Sequence, residues 1–311
     1  MKGLAMVDRK LKLPIVSLST ILIYLSACST SPPISTVAPS IDTTPTKPPS
    51  LVASDIVYAS SLQEDGDSWM LDVYAPKDTG NLPVVVFLHG FVGRKGGHIQ
   101  DSQVIAESGA IVYALDWPTW LVDLAEKENG KGFREMYEVV ACGISYAKTT
   151  APNYGGDPSN VTLIGFSYGG YLGSWITLGA NTIDSSWDSY AANNEGPPVQ
   201  VDCVSDPASI KVDAFIGIGG AYFWAESLQE RNQGLWKIVS PPSHLGSELD
   251  TPIRLLQGER DTTVRPEISE EFRDILHKAG YDTKLIMYDG THRVPAELTA
   301  EVVQELAGGN K

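Results

Sequence analysis

Gly165-Phe166-Ser167-Tyr168-Gly169-Gly170 follows the apolar run 161–164 directly and leads into a helical stretch over 168–178. A G-x-S-x-G turn in that setting holds its serine in a strained backbone conformation that lifts the hydroxyl out of a sheet. Glycines two before and two after the serine relieve crowding between strand and helix. Ser167 is the candidate nucleophile. Working outward, short apolar runs rich in β-branched residues predict strands at 69–74, 84–88, 111–115, 161–166, 214–218, 253–257 and 284–288. Segments of helical character separate them at 99–108, 133–148, 168–178, 266–279 and 296–306. That alternation predicts one doubly wound, mostly parallel sheet. Two stretches without a clean period, 181–211 and 222–250, read as loop insertions that form either a small cap at the carboxyl ends of the strands or peripheral decoration.

A serine needs a base to take its proton and a third group to hold that base in one tautomer. Of five histidines, His292 alone stands just after the last predicted strand, in Tyr288-Asp289-Gly290-Thr291-His292. It is the expected base. His89 precedes the nucleophile and reads as a loop-shaping residue, while His98, His244 and His277 read as ordinary solvated or hydrogen-bonded imidazoles. Asp261 is the expected acid, in the loop past the penultimate strand, with helix capping as its other reading and Glu259 as its substitute. Asp213 and Asp289 are weaker candidates, the first at the wrong end of a strand and the second in a turn. The oxyanion of a tetrahedral intermediate needs two donors. The residue after the nucleophile, Tyr168, offers one backbone N–H, and Phe91, in the His89-Gly90-Phe91 turn that ends a strand, offers the other.

The order of oxyanion loop, serine turn, acid and histidine resembles the α/β-hydrolase superfamily over about residues 69–306. The stretch Leu71-Asp72-Val73-Tyr74-Ala75-Pro76 is similar to the first strand of small carboxylesterases and dienelactone-hydrolase-like proteins. The resemblance implies an α/β-hydrolase fold with about eight strands and helices on both faces. It implies a triad of Ser167, Asp261 and His292, with Phe91 and Tyr168 as oxyanion donors, acting on carboxylic esters. The chain departs from hormone-sensitive-lipase-like esterases, which carry His-Gly-Gly-Gly where this sequence has His-Gly-Phe. Tyr168-Gly169-Gly170 is also similar to prolyl-oligopeptidase-like peptidases, but a large amino-terminal propeller does not fit into the residues before Trp69. A surface lipoprotein that binds a ligand without turnover is the reading from another class.

The 311 residues carry a formal charge of -15, which excludes nucleic acid as the expected partner and favours a small neutral ester over an anionic one. Three widely spaced cysteines give no zinc pattern, and no metal or cofactor is expected. Trp117, Trp120 and Trp224 follow predicted strands and are expected to line the substrate pocket. Residues 1–27 read as a signal peptide, with basic residues before a short apolar run. Leu25-Ser26-Ala27-Cys28 resembles the lipobox of bacterial lipoproteins, which implies lipidation of Cys28 and attachment to the cell envelope. Residues 28–52, rich in Ser, Thr and Pro, read as a flexible tether, and 53–311 as the folded domain. Cys142 and Cys203 then either pair in an oxidising compartment or stay as buried thiols. Metabolic labelling with palmitate is expected to mark the mature protein at Cys28, and Cys28→Ala is expected to release it, unlabelled, into the soluble fraction.

Overall fold

The computed structural model describes residues 50–62, 66–77, 80–119, 130–194, 201–206 and 210–309. The expected signal segment and Cys28 lie outside them. Among the described residues nine strands form one sheet: β1 (Leu51–Ser61), β2 (Ser68–Tyr74), β3 (Leu82–Leu88), β4 (Ile111–Leu115), β5 (Gly156–Phe166), β6 (Val201–Cys203), β7 (Ala214–Ile218), β8 (Ile253–Gly258) and β9 (Thr283–Tyr288). Their spatial order is β6-β1-β2-β4-β3-β5-β7-β8-β9. From β4 to β9 every pairing is parallel, while β2 joins β4, and β1 joins β2 and β6, antiparallel. The central runs Val84–Leu88, Ile111–Leu115 and Ala214–Ile218 are buried on both faces, which is why they read as continuous apolar runs and do not alternate.

Helices cover both faces. On one side α2 (Lys131–Thr150), α3 (Tyr168–Gly179) and α7 (Pro266–Ala279) pack on the sheet, and on the other lie α1 (Ile99–Glu107) and α8 (Ala296–Gly309). α7 shows the local logic. Ile268, Phe272 and Leu276 recur at four-residue spacing on its inner side, Pro266 opens it, and Gly280, at φ 98°, ends it by donating to the carbonyls of Leu276 and His277.

Two strands escaped the sequence reading. β1 begins at Leu51, so the fold starts two residues inside the expected tether. β6 lies within the expected insertion 181–211 and returns to the far edge of the sheet to pair with β1, Ala59 opposite Cys203. Among its described residues that insertion also holds α4 (Ile183–Asn194), and the second insertion holds α5 (Leu228–Arg231) and α6 (Gln233–Val239). The second insertion is fixed to α3 by Tyr171 Oη donating to Val239 O at 2.9 Å and Trp175 Nε1 to Ile238 O at 2.6 Å.

Cys142 on α2 and Cys203 on β6 are joined by a disulfide, with their Cα atoms 5.2 Å apart across 61 residues of sequence. A three-residue edge strand has few ladder bonds of its own, and the cross-link holds it against the nearest helix. A loop of this length corresponds to about 4 kcal/mol of chain entropy removed from the unfolded state. The double variant Cys142→Ser/Cys203→Ser is expected to lose about 2–4 kcal/mol in guanidinium denaturation, and reduction of the parent protein is expected to move its midpoint the same way.

Candidate active site

Ser167 sits between β5 and α3 at φ 55° and ψ -117°. Its N–H donates to Ile218 O at 2.8 Å, and its carbonyl accepts from Gly170 and Ala221. The flanking glycines are sterically required: a Cβ on Gly165 would lie 2.2 Å from Gly169 O, and one on Gly169 would lie 2.5 Å from His89 O. The helix therefore starts in direct contact with the end of β3.

His292 reaches the same place from the loop after β9. Its ring lies 4.9 Å from that of Phe166, the residue before the nucleophile, and Nδ1 stands 2.6 Å from Asp261 Oδ2. A proton on Nδ1 shared with the carboxylate leaves Nε2 as the free acceptor, the tautomer a general base needs. Gly219, at φ 51°, closes the space beneath the pair, since a Cβ there would approach the imidazole to 3.1 Å. Ser167 and His292 share no hydrogen bond in this structure, and proton transfer requires that contact to form with substrate.

Asp261 is 3% exposed, so its charge must be met by donors. Oδ1 accepts from the N–H groups of Thr263 and Val264 at 2.8 and 3.0 Å, and Oδ2 accepts from Gln257 Nε2 at 3.1 Å as well as from His292. Oδ1 thus holds the loop that leads to α7 and does not cap that helix, whose N-cap is Arg265 with no side-chain bond, while Oδ2 faces His292. Gln257 is a positioning residue that the sequence reading missed. It lies buried in β8, and its Oε1 accepts from Ser269 on α7 at 2.7 Å. Its only signal in the sequence is a polar residue directly after the apolar pair Leu255-Leu256 of that strand. Among the other acids, Asp213 holds the Val161 N–H at 2.8 Å, Asp289 pairs with Arg260, and Glu259 lies exposed with its N–H on Tyr288 O.

The turn Gly90–Gly93, closed by Gly93 N–H on Gly90 O at 3.0 Å, carries Phe91 beside the nucleophile; a Cβ on Gly90 would lie 3.1 Å from Ser167 Cβ. Val92 holds φ 51°, a left-handed conformation costly for a β-branched residue. Tyr168 is the first residue of α3, where a backbone N–H has no acceptor within the helix. Just beyond this turn, Lys95 donates from its backbone to Asp116 Oδ1 and from Nζ to Asp55 and Asp72, fixing the loop after β3 to the first two strands.

The three tryptophans part company. Trp117, 2% exposed, stacks between His89 at 5.1 Å and Tyr168 at 5.7 Å. It supports the turn after β3 from within the core, contrary to the pocket role expected, because its ring is buried between these two side chains. It also lines a separate cavity of about 210 Å³ with Val92, Arg94 and Asp116. Trp120 lies outside the described residues. Trp224, 46% exposed, meets Tyr168 edge-on at 5.0 Å and Phe91 at 6.4 Å, so these two exposed rings form an apolar rim over the residue that follows the nucleophile. Among the described residues, no group of acids, histidines and cysteines is arranged to hold a metal ion, and no helix is long and apolar enough to cross a membrane.

Residues 71–276 match the family model described as BD-FAE. A probable isoprenylcysteine α-carbonyl methylesterase of Oryza sativa is 27% identical over 249 residues, covering 71% of this chain and 53% of its own. An uncharacterised peptidase of Bacillus subtilis is 24% identical over 250 residues, covering 76% of this chain and 35% of its own. This chain spans about half the length of the plant methylesterases it matches. Among solved structures, a thermophilic esterase of Thermogutta terrifontis superposes with a TM-score of 0.58 at 22% identity, covering 83% of this chain and 90% of that one.

Burial pushes the His89 imidazole down to about 4, against the smaller upward pull of its bond to Gly90 O. The unfolded chain takes up this proton near 6.5, so between those values it holds more protons than the folded chain, and stability falls as pH falls. The stability this neutral ring contributes is complete above about pH 6.5 and is lost toward pH 4, about 2–3 kcal/mol by pH 4.5. Urea denaturation at pH 7 and 4.5 is expected to show His89→Gln losing less stability on acidification than the parent by that amount.

Proposed function

The chain belongs to the BD-FAE family, with the α/β-hydrolase fold, and from that premise we propose that it hydrolyses neutral carboxylic esters with Ser167, His292 and Asp261 as a catalytic triad. In this mechanism His292 Nε2 takes the proton of Ser167 as Oγ attacks the ester carbonyl, and Asp261 stabilises the imidazolium through Nδ1–H. The N–H groups of Phe91 and Tyr168 bind the oxyanion. Collapse of the intermediate expels the alcohol with the proton from His292. Water, its proton taken by the same ring, then attacks the acyl-enzyme carbonyl; the acyl–Oγ bond breaks, the carboxylic acid leaves, and His292 returns the proton to Ser167 Oγ.

The observation that carries this reading is the 2.6 Å Asp261–His292 contact beside a serine held at positive φ. Methylesterase relatives and an esterase of the same fold support it. The exposed rings of Phe91 and Trp224 favour an apolar acyl group, and the charge of -15 disfavours anionic substrates at long range. The sequence-related peptidase keeps amide hydrolysis as a second reading. We also propose that the protein acts outside the cytoplasm, tethered through lipid on Cys28.

A fluorophosphonate is expected to label the protein once, at Ser167, and p-nitrophenyl esters to be turned over. Ser167→Ala is expected to abolish labelling, and Asp261→Asn to lower kcat by about three to four orders of magnitude with the fold intact. Turnover of peptide p-nitroanilides faster than of esters would favour the peptidase reading, and ester turnover surviving in Ser167→Ala would remove the proposed nucleophile.

A further inference from the structure

His292 stands in a loop that its own backbone does little to hold. Up to Gly290 the chain is knitted to the acid loop: Glu259 and Arg260 donate their N–H groups to Tyr288 O at 3.0 Å and Gly290 O at 2.9 Å, and Arg260 pairs with Asp289. From Thr291 to Arg293 no backbone–backbone hydrogen bond is made among the described residues. Arg293 reaches across to the turn before α1, but weakly. Its Nη2 lies 3.4 Å from Gly97 O, and its Nη1 lies 3.8 Å from Asp101 Oδ2, an oxygen already bonded to His98 Nδ1 at 2.7 Å. With the arginine side chain 64% exposed, such a pair contributes little.

The segment is held instead by Tyr288, the last residue of β9. Its Oη donates to the carbonyls of Thr291 and Arg293, the latter at 2.6 Å, so one hydroxyl bonds the chain on either side of His292. The ring can fold back over the loop only because residue 290 is glycine: a Cβ there would lie 2.0 Å from Tyr288 Cε2. Gly258 completes the seat, since a Cβ on it would lie 2.1 Å from Thr291 O. Burial, helped by the charge of Asp261, pushes the phenol up to about 12, so it remains a donor throughout the range in which an imidazole changes charge.

We propose that Tyr288 is a positioning residue of the triad: its hydroxyl, bonded to the chain before and after His292, sets where the imidazole stands between Asp261 and Ser167. The inference rests on the serine-hydrolase reading above and deepens it. Asp261 fixes the ring at Nδ1 alone, whereas Nε2 must come within hydrogen-bond reach of Oγ for the proton to pass. The backbone beneath the ring decides whether it does, and a misplacement of about 1 Å can cost about a hundredfold in rate. The serine takes its place from steric exclusion at Gly165 and Gly169, and the acid from amides of its own loop. The base takes its place from a phenol four residues earlier, which acts through His292 and takes no part in bond-making.

Tyr288→Phe in the full chain keeps the ring and removes the hydroxyl. It is expected to lower kcat and kcat/KM for p-nitrophenyl acetate together, by about 10- to 100-fold, with KM within about twofold. Tyr281→Phe is the control, because it deletes a hydroxyl that accepts from Gly246 N–H at 3.0 Å two residues before β9, at the opposite end of that strand. It is expected to lower stability in urea and to keep kcat. A second readout follows the acid–base contact itself. The Nδ1 proton between His292 and Asp261 is expected as a downfield proton resonance in the parent and in Tyr281→Phe, and to be broadened by exchange in Tyr288→Phe, which lost stability alone does not produce. Gly290→Ala reaches the same contact with the hydroxyl retained, by driving a Cβ into the Tyr288 ring, and is expected to lower kcat to a similar extent, so the test stands even where Tyr288→Phe fails to fold. Parental kcat in either variant once folded, or an unchanged Nδ1 resonance in Tyr288→Phe, would overturn the role of Tyr288 with the triad left standing. Failure of a fluorophosphonate to label Ser167 in the parent would overturn the hydrolase reading, and this inference with it.

Discussion

The turn at Ser167 has no steric slack. Glycines at 165 and 169 are the only residues that fit between the end of β5, the start of α3 and the carbonyls of Leu88 and His89, and the serine between them is forced to positive φ. Such a turn costs on the order of 1–3 kcal/mol and persists only where its surroundings over-determine it. Here they do. β5 lies between β3 and β7, so the loop after β3 brings Gly90 against the serine on one side, and the end of β7 supplies Ile218 O and Ala221 N–H on the other. β8 and β9 follow in spatial order, delivering Asp261 and then His292. The parallel sheet thus places five consecutive strand ends along one edge, each contributing a different part of the site.

The site is organised around a buried negative charge. Asp261 is tied on one oxygen to the backbone of its own loop and on the other to Gln257 and His292, so its orientation is fixed before any substrate arrives. On the oxyanion side the balance runs the other way. His89 is kept neutral by burial and holds its turn through stacking on Trp117 and a bond to Gly90 O. Lys95 gathers the carboxylates of Asp55, Asp72 and Asp116 behind the loop. Removing Lys95 leaves the buried Asp72 carboxylate without its cation, which couples the stability of the fold to the geometry of the site.

Much of this was legible in the chain, for physical reasons that differ by element. Strands buried on both faces announce themselves as apolar runs, and the serine, acid and histidine each follow such a run at a glycine-bearing or polar turn. β1 did not, because it reads Leu-Val-Ala-Ser-Asp-Ile-Val-Tyr-Ala-Ser-Ser, with much of its outer part exposed, and merges with the Ser-rich stretch before it. β6 exists as three residues held by pairing with β1 and by a disulfide to α2, both long-range interactions with no local pattern. Trp117 was misplaced because position after a strand does not tell which way a ring turns, and here it turned into the core. Gln257 and the His98–Asp101 pair stayed hidden because a polar residue in a sequence does not reveal the partner that the fold will bring to it.

Triad catalysis requires Ser167 to face both an imidazole and two amide hydrogens at the moment of reaction. A crystal structure of the protein covalently trapped with an alkyl phosphonate measures that arrangement directly. The predicted result is phosphorus bonded to Ser167 Oγ, its non-ester oxygen about 3 Å from the backbone nitrogens of Phe91 and Tyr168, and His292 Nε2 turned toward Oγ or the leaving position. An adduct on another side chain, or one on Ser167 whose oxygen points away from that turn with the His292 ring still out of reach, would contradict it.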